Sequence, residues 1–187
     1  MSHSDNLSTL ITIIFGLMLT DLFASIHRLI RHRRRIHWHW LPLLTAWYVL
    51  VTILKNWWLL VFREGEGIWE SGWIFFFYGH LLLLLFLVSA AVLPDEVPEK
   101  GLDLRSFYFD NRRQFWGLLA GVNLLMLIFA LLRPVFTVSS LSWPVVWSNL
   151  VNGGVILSLA LSRRPAYHAV VVILITTLAM LEIAHKF

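Results

Sequence analysis

Six apolar stretches of near-spanning length, separated by short polar connections, constrain this chain more than any other feature. A helix needs about 20 predominantly apolar residues to cross a hydrocarbon core of roughly 30 Å. The stretches are Leu7 to Ile26, Trp40 to Val61, Trp73 to Leu93, Phe115 to Leu132, Trp143 to Leu161 and Ala166 to Ala184. With 58% hydrophobic residues among 187, the chain carries far more apolar surface than an aqueous core of that size could bury. The sequence therefore predicts an all-α, polytopic membrane protein: six transmembrane helices forming a single domain over residues 1 to 187.

The polar start, MSHSDN, has neither a basic n-region nor a small-residue cleavage site after the first stretch, so that stretch is read as a retained span. Orientation follows from Lys and Arg in short loops. One side collects Arg28, Arg31, Arg33, Arg34 and Arg35, then Lys100, Arg105, Arg112 and Arg113, then Arg163 and Arg164. The other holds Arg63, Arg133 and Lys186. Both termini are predicted outside, in the periplasm of a bacterial host, with the protein in the inner (cytoplasmic) membrane. Tryptophans at 38, 40, 69, 73, 116 and 143 fall at span ends, where an interfacial aromatic belt lies.

The stretch Ser25 to Trp40, SIHRLIRHRRRIHWHW, is the densest basic segment. The net charge of +4 arises from loops beside helices, which argues for anionic lipid head groups as partners and not nucleic acid. Arg28, Arg31, Arg33, Arg34, Arg35, Arg105, Arg112 and Arg113 are the candidate lipid- or anion-binding residues. The third loop, PDEVPEKGLDLRSFYFDNRR, has room for structure of its own. Pro94 and Pro98 stop the third span, Gly101 gives a turn, and Asp103 can cap a short interfacial helix from Leu104 that feeds the fourth span. Its carboxylates, Asp95 among them, oppose the arginine-rich first loop, so the two loops are expected to pair.

Here the chain is similar to a group of short, multi-pass bacterial membrane proteins. The matching features are Asp21 ahead of His27 to Leu29, then Trp40 to Leu44, Leu93 to Asp95, and Asp103 to Arg113. The resemblance covers roughly the first four spans. It implies a multi-pass membrane protein and carries no activity with it.

Ionisable groups within spans are the default functional candidates, because a charge near the bilayer centre costs at least about 2.5 to 3.5 kcal/mol on insertion scales. Asp21 lies about 21 Å into the first span at 1.5 Å per residue, in the inner third. Two readings stand: a structural ion pair with an arginine such as Arg28, or a proton- or cation-handling carboxylate. Lys55, followed by Asn56, enters the outer third of span two, and Glu182 reaches a similar depth in span six, which makes a pair between them plausible. Asn149, Asn152 and Gly153 share one stripe of span five, and with Asn123 they could pack helices or line a polar cavity. Gly16, Thr20 and Ala24 in span one, and Gly117 and Gly121 in span four, would let helices approach closely, which points to a homo-oligomer.

No nucleophile motif, phosphate loop, H-E-x-x-H or nucleotide fingerprint occurs, and there is no cysteine. Only His80 with His185 could meet at one depth as haem ligands, and the spacings of His27, His37, His39 and His168 match no zinc motif. No cofactor or metal is expected, and an enzyme or electron carrier is the least supported class. The leading reading is a small oligomeric channel or transporter for ions, protons or a small solute. The alternative is a non-catalytic accessory or sensor that binds lipid or a partner through its Arg/His loops.

Overall fold

The structure, a computed structural model, describes residues 3–60, 72–136 and 141–186. It is all-helical. Six helices run as α1 (His3–Arg31), α2 (Trp40–Trp58), α3 (Gly72–Ala91), α4 (Leu104–Phe136), α5 (Trp143–Leu161) and α6 (Pro165–Lys186). Five of them, all but α2, are long and apolar enough to cross a membrane. α2 matches α5 in length, at 19 residues, but carries Lys55 and Asn56 near its end. The predicted outer end of the second span, with Arg63 and Trp69, lies outside the described residues.

The helix boundaries have local causes. α2 begins where the His39 ring accepts the Leu41 N–H at 3.3 Å, and Pro42 sits in the first turn, where its missing N–H has no intrahelical partner to lose. Pro144 and Pro165 occupy equivalent places in α5 and α6. α4 starts as the sequence suggests, with Asp103 Oδ1 accepting the Arg105 N–H at 2.9 Å. The segment that follows is not a separate interfacial helix, however. It continues without a break into the fourth span as one 33-residue helix. No Gly or Pro interrupts Leu104 to Trp116, and Leu104, Tyr108, Arg112 and Phe115, spaced at i, i+4, i+8 and i+11, bury one face against the bundle.

α2 touches α1, α3, α4 and α6, and α3 lies between α1 and α4. α5 packs chiefly on α4 and α6 chiefly on α2, while α5 and α6, though consecutive, touch only slightly. Phe15, Met18, Leu22, Ile53, Leu81, Leu85, Leu119, Ile156 and Val172 are fully buried between them, so the interior is apolar over most of its length. Side chains at a helix interface in lipid gain little from the hydrophobic effect, and such packing holds by dispersion and shape.

Three loops gather at one end of the bundle. A two-residue parallel ladder joins Ile36–His37 (β1) to Leu102–Asp103 (β2). Arg28 Nη2 pairs with Asp95 Oδ1 at 3.2 Å. The first and third loops thus meet, as their opposite charges suggest. Gly101, at φ 91°, passes so close to the first loop that a Cβ there would lie 2.8 Å from the Arg35 carbonyl oxygen. The α5–α6 turn joins them through its Ser162 carbonyl, which accepts from Arg112 Nε at 3.0 Å.

Candidate functional site

The gathered loops form a basic cap. Arg31, Arg33, Arg34 and Arg35 are exposed around a short 3-10 turn, Arg33–Arg35, that ends α1, and Arg105, Arg113, Arg163 and Arg164 are exposed from the other two loops. Among the described residues none of these eight guanidinium groups makes an ion pair or a side-chain hydrogen bond. A shallow open concavity at the end of α1 is lined by His27, Ile30, Arg31, Arg33 and Arg34.

Arg112 departs from this pattern. Grouped by sequence with the head-group arginines, it is 6% exposed and turned inward. Its Nε donates to the Ser162 carbonyl, its Nη1 to the Phe109 carbonyl, and its Nη2 is buried without a partner. The face that buries Tyr108 and Phe115 passes through position 112, so helix periodicity overrides the arginine's preference for water.

Beside it lies a polar cluster that the sequence reading does not assemble. Trp116 Nε1 donates to the Tyr108 hydroxyl at 3.1 Å, and that hydroxyl lies 2.9 Å from His168 Nδ1. His168 Nε2 lies 3.1 Å from the Ser162 carbonyl. With Tyr108 donating to Nδ1 and Nε2–H donating to Ser162, each polar atom of the three side chains has a partner. Trp116 and His168 are 0% exposed. The cluster ties α4 to α6 and to the α5–α6 turn. A signal existed in Tyr108 and Trp116, eight residues apart on one helix face, but His168 is sixty residues from Tyr108 and nothing local links them.

Within the spans, the structure brings some expected partners together and leaves one alone. Lys55 Nζ and Glu182 Oε2 form an ion pair between α2 and α6, with side chains 30% and 36% exposed. Asn152 Nδ2 donates to Asn123 Oδ1 at 2.9 Å, joining α5 to α4, and Asn123 in turn donates to the Leu119 carbonyl. Gly153 lies against the same amide: a Cβ there would meet Asn123 Cβ at 3.4 Å, an ordinary van der Waals contact. Asn56 and Asn149 donate to carbonyls of their own helices, Thr52 and Val145, and make no hydrogen bond to another helix among the described residues. Gly121 faces Leu84 of α3, whereas Gly117 has open space beside it.

Asp21 is the exception. Its Oδ2 is buried with no hydrogen-bond partner, and no ion pair to it is present among the described residues. The anticipated partner, Arg28, is held by Ser25 Oγ at 2.8 Å and by Asp95. His80 is exposed, its Nδ1 2.8 Å from the Phe76 carbonyl, and the side chain of His185 lies outside the described residues.

Comparison with protein-family models, with curated proteins and with solved structures found no match for this chain. The geometry defines an all-helical protein with five helices long and apolar enough to cross a membrane and a basic cap at one end.

Proposed function

We propose that this chain is a six-span protein of the bacterial inner membrane, with both termini outside, and that it serves as a non-catalytic accessory or sensor. Its cytoplasmic cap binds anionic head groups. The observation that carries this reading is the set of eight exposed cap arginines, none of them neutralised within the protein among the described residues. Basic side chains beside an anionic leaflet contribute about 1 kcal/mol each, so such a cap is drawn to that surface and senses its charge.

The intramembrane polar groups fit the same reading. Lys55 with Glu182, and Asn123 with Asn152, satisfy one another across helix pairs, and the interior of the bundle is otherwise filled mainly by buried apolar side chains. Such pairs act as packing contacts between helices. A channel or transporter remains the second reading, and one observation favours it: the unpartnered Asp21 Oδ2, a buried carboxylate oxygen placed where a proton or cation could bind. A pore in that case would run between copies of the chain.

One experiment separates the two. Purified protein is reconstituted into vesicles with a pH-sensitive dye and a potassium gradient, and its co-purified lipid is identified by mass spectrometry. The accessory reading expects anionic phospholipid enriched over the host membrane and proton and potassium flux no greater than that of empty vesicles. Flux that disappears in Asp21→Asn would transfer the conclusion to transport.

A further inference from the structure

α1 presents an outward stripe that changes character along its length. Gly16, Thr20, Phe23, His27 and Ile30 follow one another at i+3 and i+4 spacing on a single exposed face, Arg31 ends the helix beside them, and Arg34 stands in the 3-10 turn that follows. At its deep end Gly16 has nothing within 4 Å of where a Cβ would stand, which leaves a notch in the helix surface. Thr20 Oγ1 donates back to the Gly16 carbonyl at 2.8 Å, so the hydroxyl is satisfied and the notch offers no free donor. Leu17 beside the notch, and Phe23 and Ile30 further along the stripe, are each more than half exposed. At the shallow end the stripe opens into the concavity of His27, Ile30, Arg31, Arg33 and Arg34.

From this continuity of apolar notch and cationic mouth we infer a binding site for one anionic phospholipid, its phosphodiester held by Arg31, Arg33 and Arg34 and one acyl chain lying along Ile30, Phe23, Thr20 and Gly16. The inference rests on the head-group reading given above and assigns it a particular place and ligand.

Dimensions and charge both fit. From Ile30 to Gly16 the helix rises about 21 Å, enough for the glycerol region and one leaflet of a hydrocarbon core of roughly 30 Å. Asp95 is engaged by Arg28, and no carboxylate pairs with Arg31, Arg33 or Arg34 among the described residues. Three unpaired guanidinium groups converging on one concavity provide forked donors for phosphate oxygens, a geometry that lysine cannot reproduce. An acyl chain fits the notch better than a soluble anion does, because the notch is useless to inorganic phosphate.

The test places full-length protein in nanodiscs of phosphatidylcholine doped with phosphatidylglycerol and counts retained phosphatidylglycerol by native mass spectrometry. The wild type is expected to hold one molecule tightly. Arg31→Lys with Arg33→Lys and Arg34→Lys keeps the charge that orients the chain, yet is expected to weaken retention about tenfold or more by removing the forks. Gly16→Phe, which fills the notch at a lipid-facing position, is expected to weaken it without touching the cap. If the lysine triple and Gly16→Phe both retain phosphatidylglycerol as the wild type does, the specific site is overturned while a diffuse head-group attraction survives. No enrichment of phosphatidylglycerol in the wild type overturns both. Release by millimolar inorganic phosphate, or a second copy of the chain cross-linked along Gly16 and Phe23 in place of lipid, also overturns the site.

Discussion

At the scale of single residues, buried polar atoms divide into those with partners and those without, and the two groups should respond to mutation in opposite ways. Tyr108 stands between Trp116 and His168. Tyr108→Phe removes the acceptor of one and the partner of the other, and is expected to cost about 1 to 3 kcal/mol, since each orphaned group retains its desolvation penalty. Thermal melting in detergent reads this as an earlier transition; an unchanged melting temperature would mean water reaches the cluster. Asp21 is the reverse case. No arginine among the described residues pairs with it, so Asp21→Asn should be neutral or stabilising, whereas breaking a buried pair would destabilise by about 3 to 5 kcal/mol. An early-melting Asp21→Asn protein would reveal a partner that the described residues lack. For Lys55 and Glu182, a double-mutant cycle with Lys55→Met and Glu182→Gln should give a coupling above about 1 kcal/mol, the ceiling for solvent-exposed pairs, because part of the surroundings is hydrocarbon. A smaller value would put the pair in the head-group layer. This pair was legible in the sequence, because equal depth in two spans is a counting argument. Arg112 was not, since counting places an arginine near a surface but does not say which side of its helix faces the protein.

Among the elements, the ladder between β1 and β2 depends on Gly101. Gly101→Ala would combine a left-handed backbone conformation, costing an L-residue about 1 to 2 kcal/mol, with a 2.8 Å approach to the Arg35 carbonyl oxygen. The expected result is a cap that opens while the spans stay folded, seen as faster proteolysis or amide exchange at 32–39 and 94–103 with little change in helix content. Equal protection in both proteins would show that Arg28 and Asp95 suffice to hold the loops. The existence of six helices was plain from apolar length, and the pairing of the first and third loops followed from opposite charge. The unbroken α4 was harder to read, because the charged run from Arg105 to Arg113 looks like a boundary in composition although no residue in it stops a helix. α2 shows the same limit from the other side: Lys55 and Asn56 dilute its apolar character, yet its buried face, from Leu41 through Thr45 and Val49 to Ile53, keeps helical periodicity.

For the whole molecule, the orientation proposed from loop charge predicts that reporters active only outside the cytoplasm work at both termini, and that cytoplasmic reporters work when inserted at 32–39 or 94–103. A cytoplasmic C-terminus would reverse every statement about which leaflet the cap meets. If phospholipid occupies the outward face of α1, self-association is expected to run through α4, where Gly117 has open space, and Gly117→Leu should shift the mass in nanodiscs towards the monomer. A wild type that is already monomeric would remove the oligomer. The 33-residue α4 also makes the cap and the bilayer interior a single stiff part. Asn123 lies nineteen residues beyond Leu104, about 28 Å along the axis, so a tilt of about 5° pivoting at Leu104 would swing the amide sideways by about 2.5 Å. That swing is comparable to the 2.9 Å bond from Asn152 that it would have to stretch or break. A load that tilted α4 at the cap would therefore be felt at the hydrogen bond between α4 and α5.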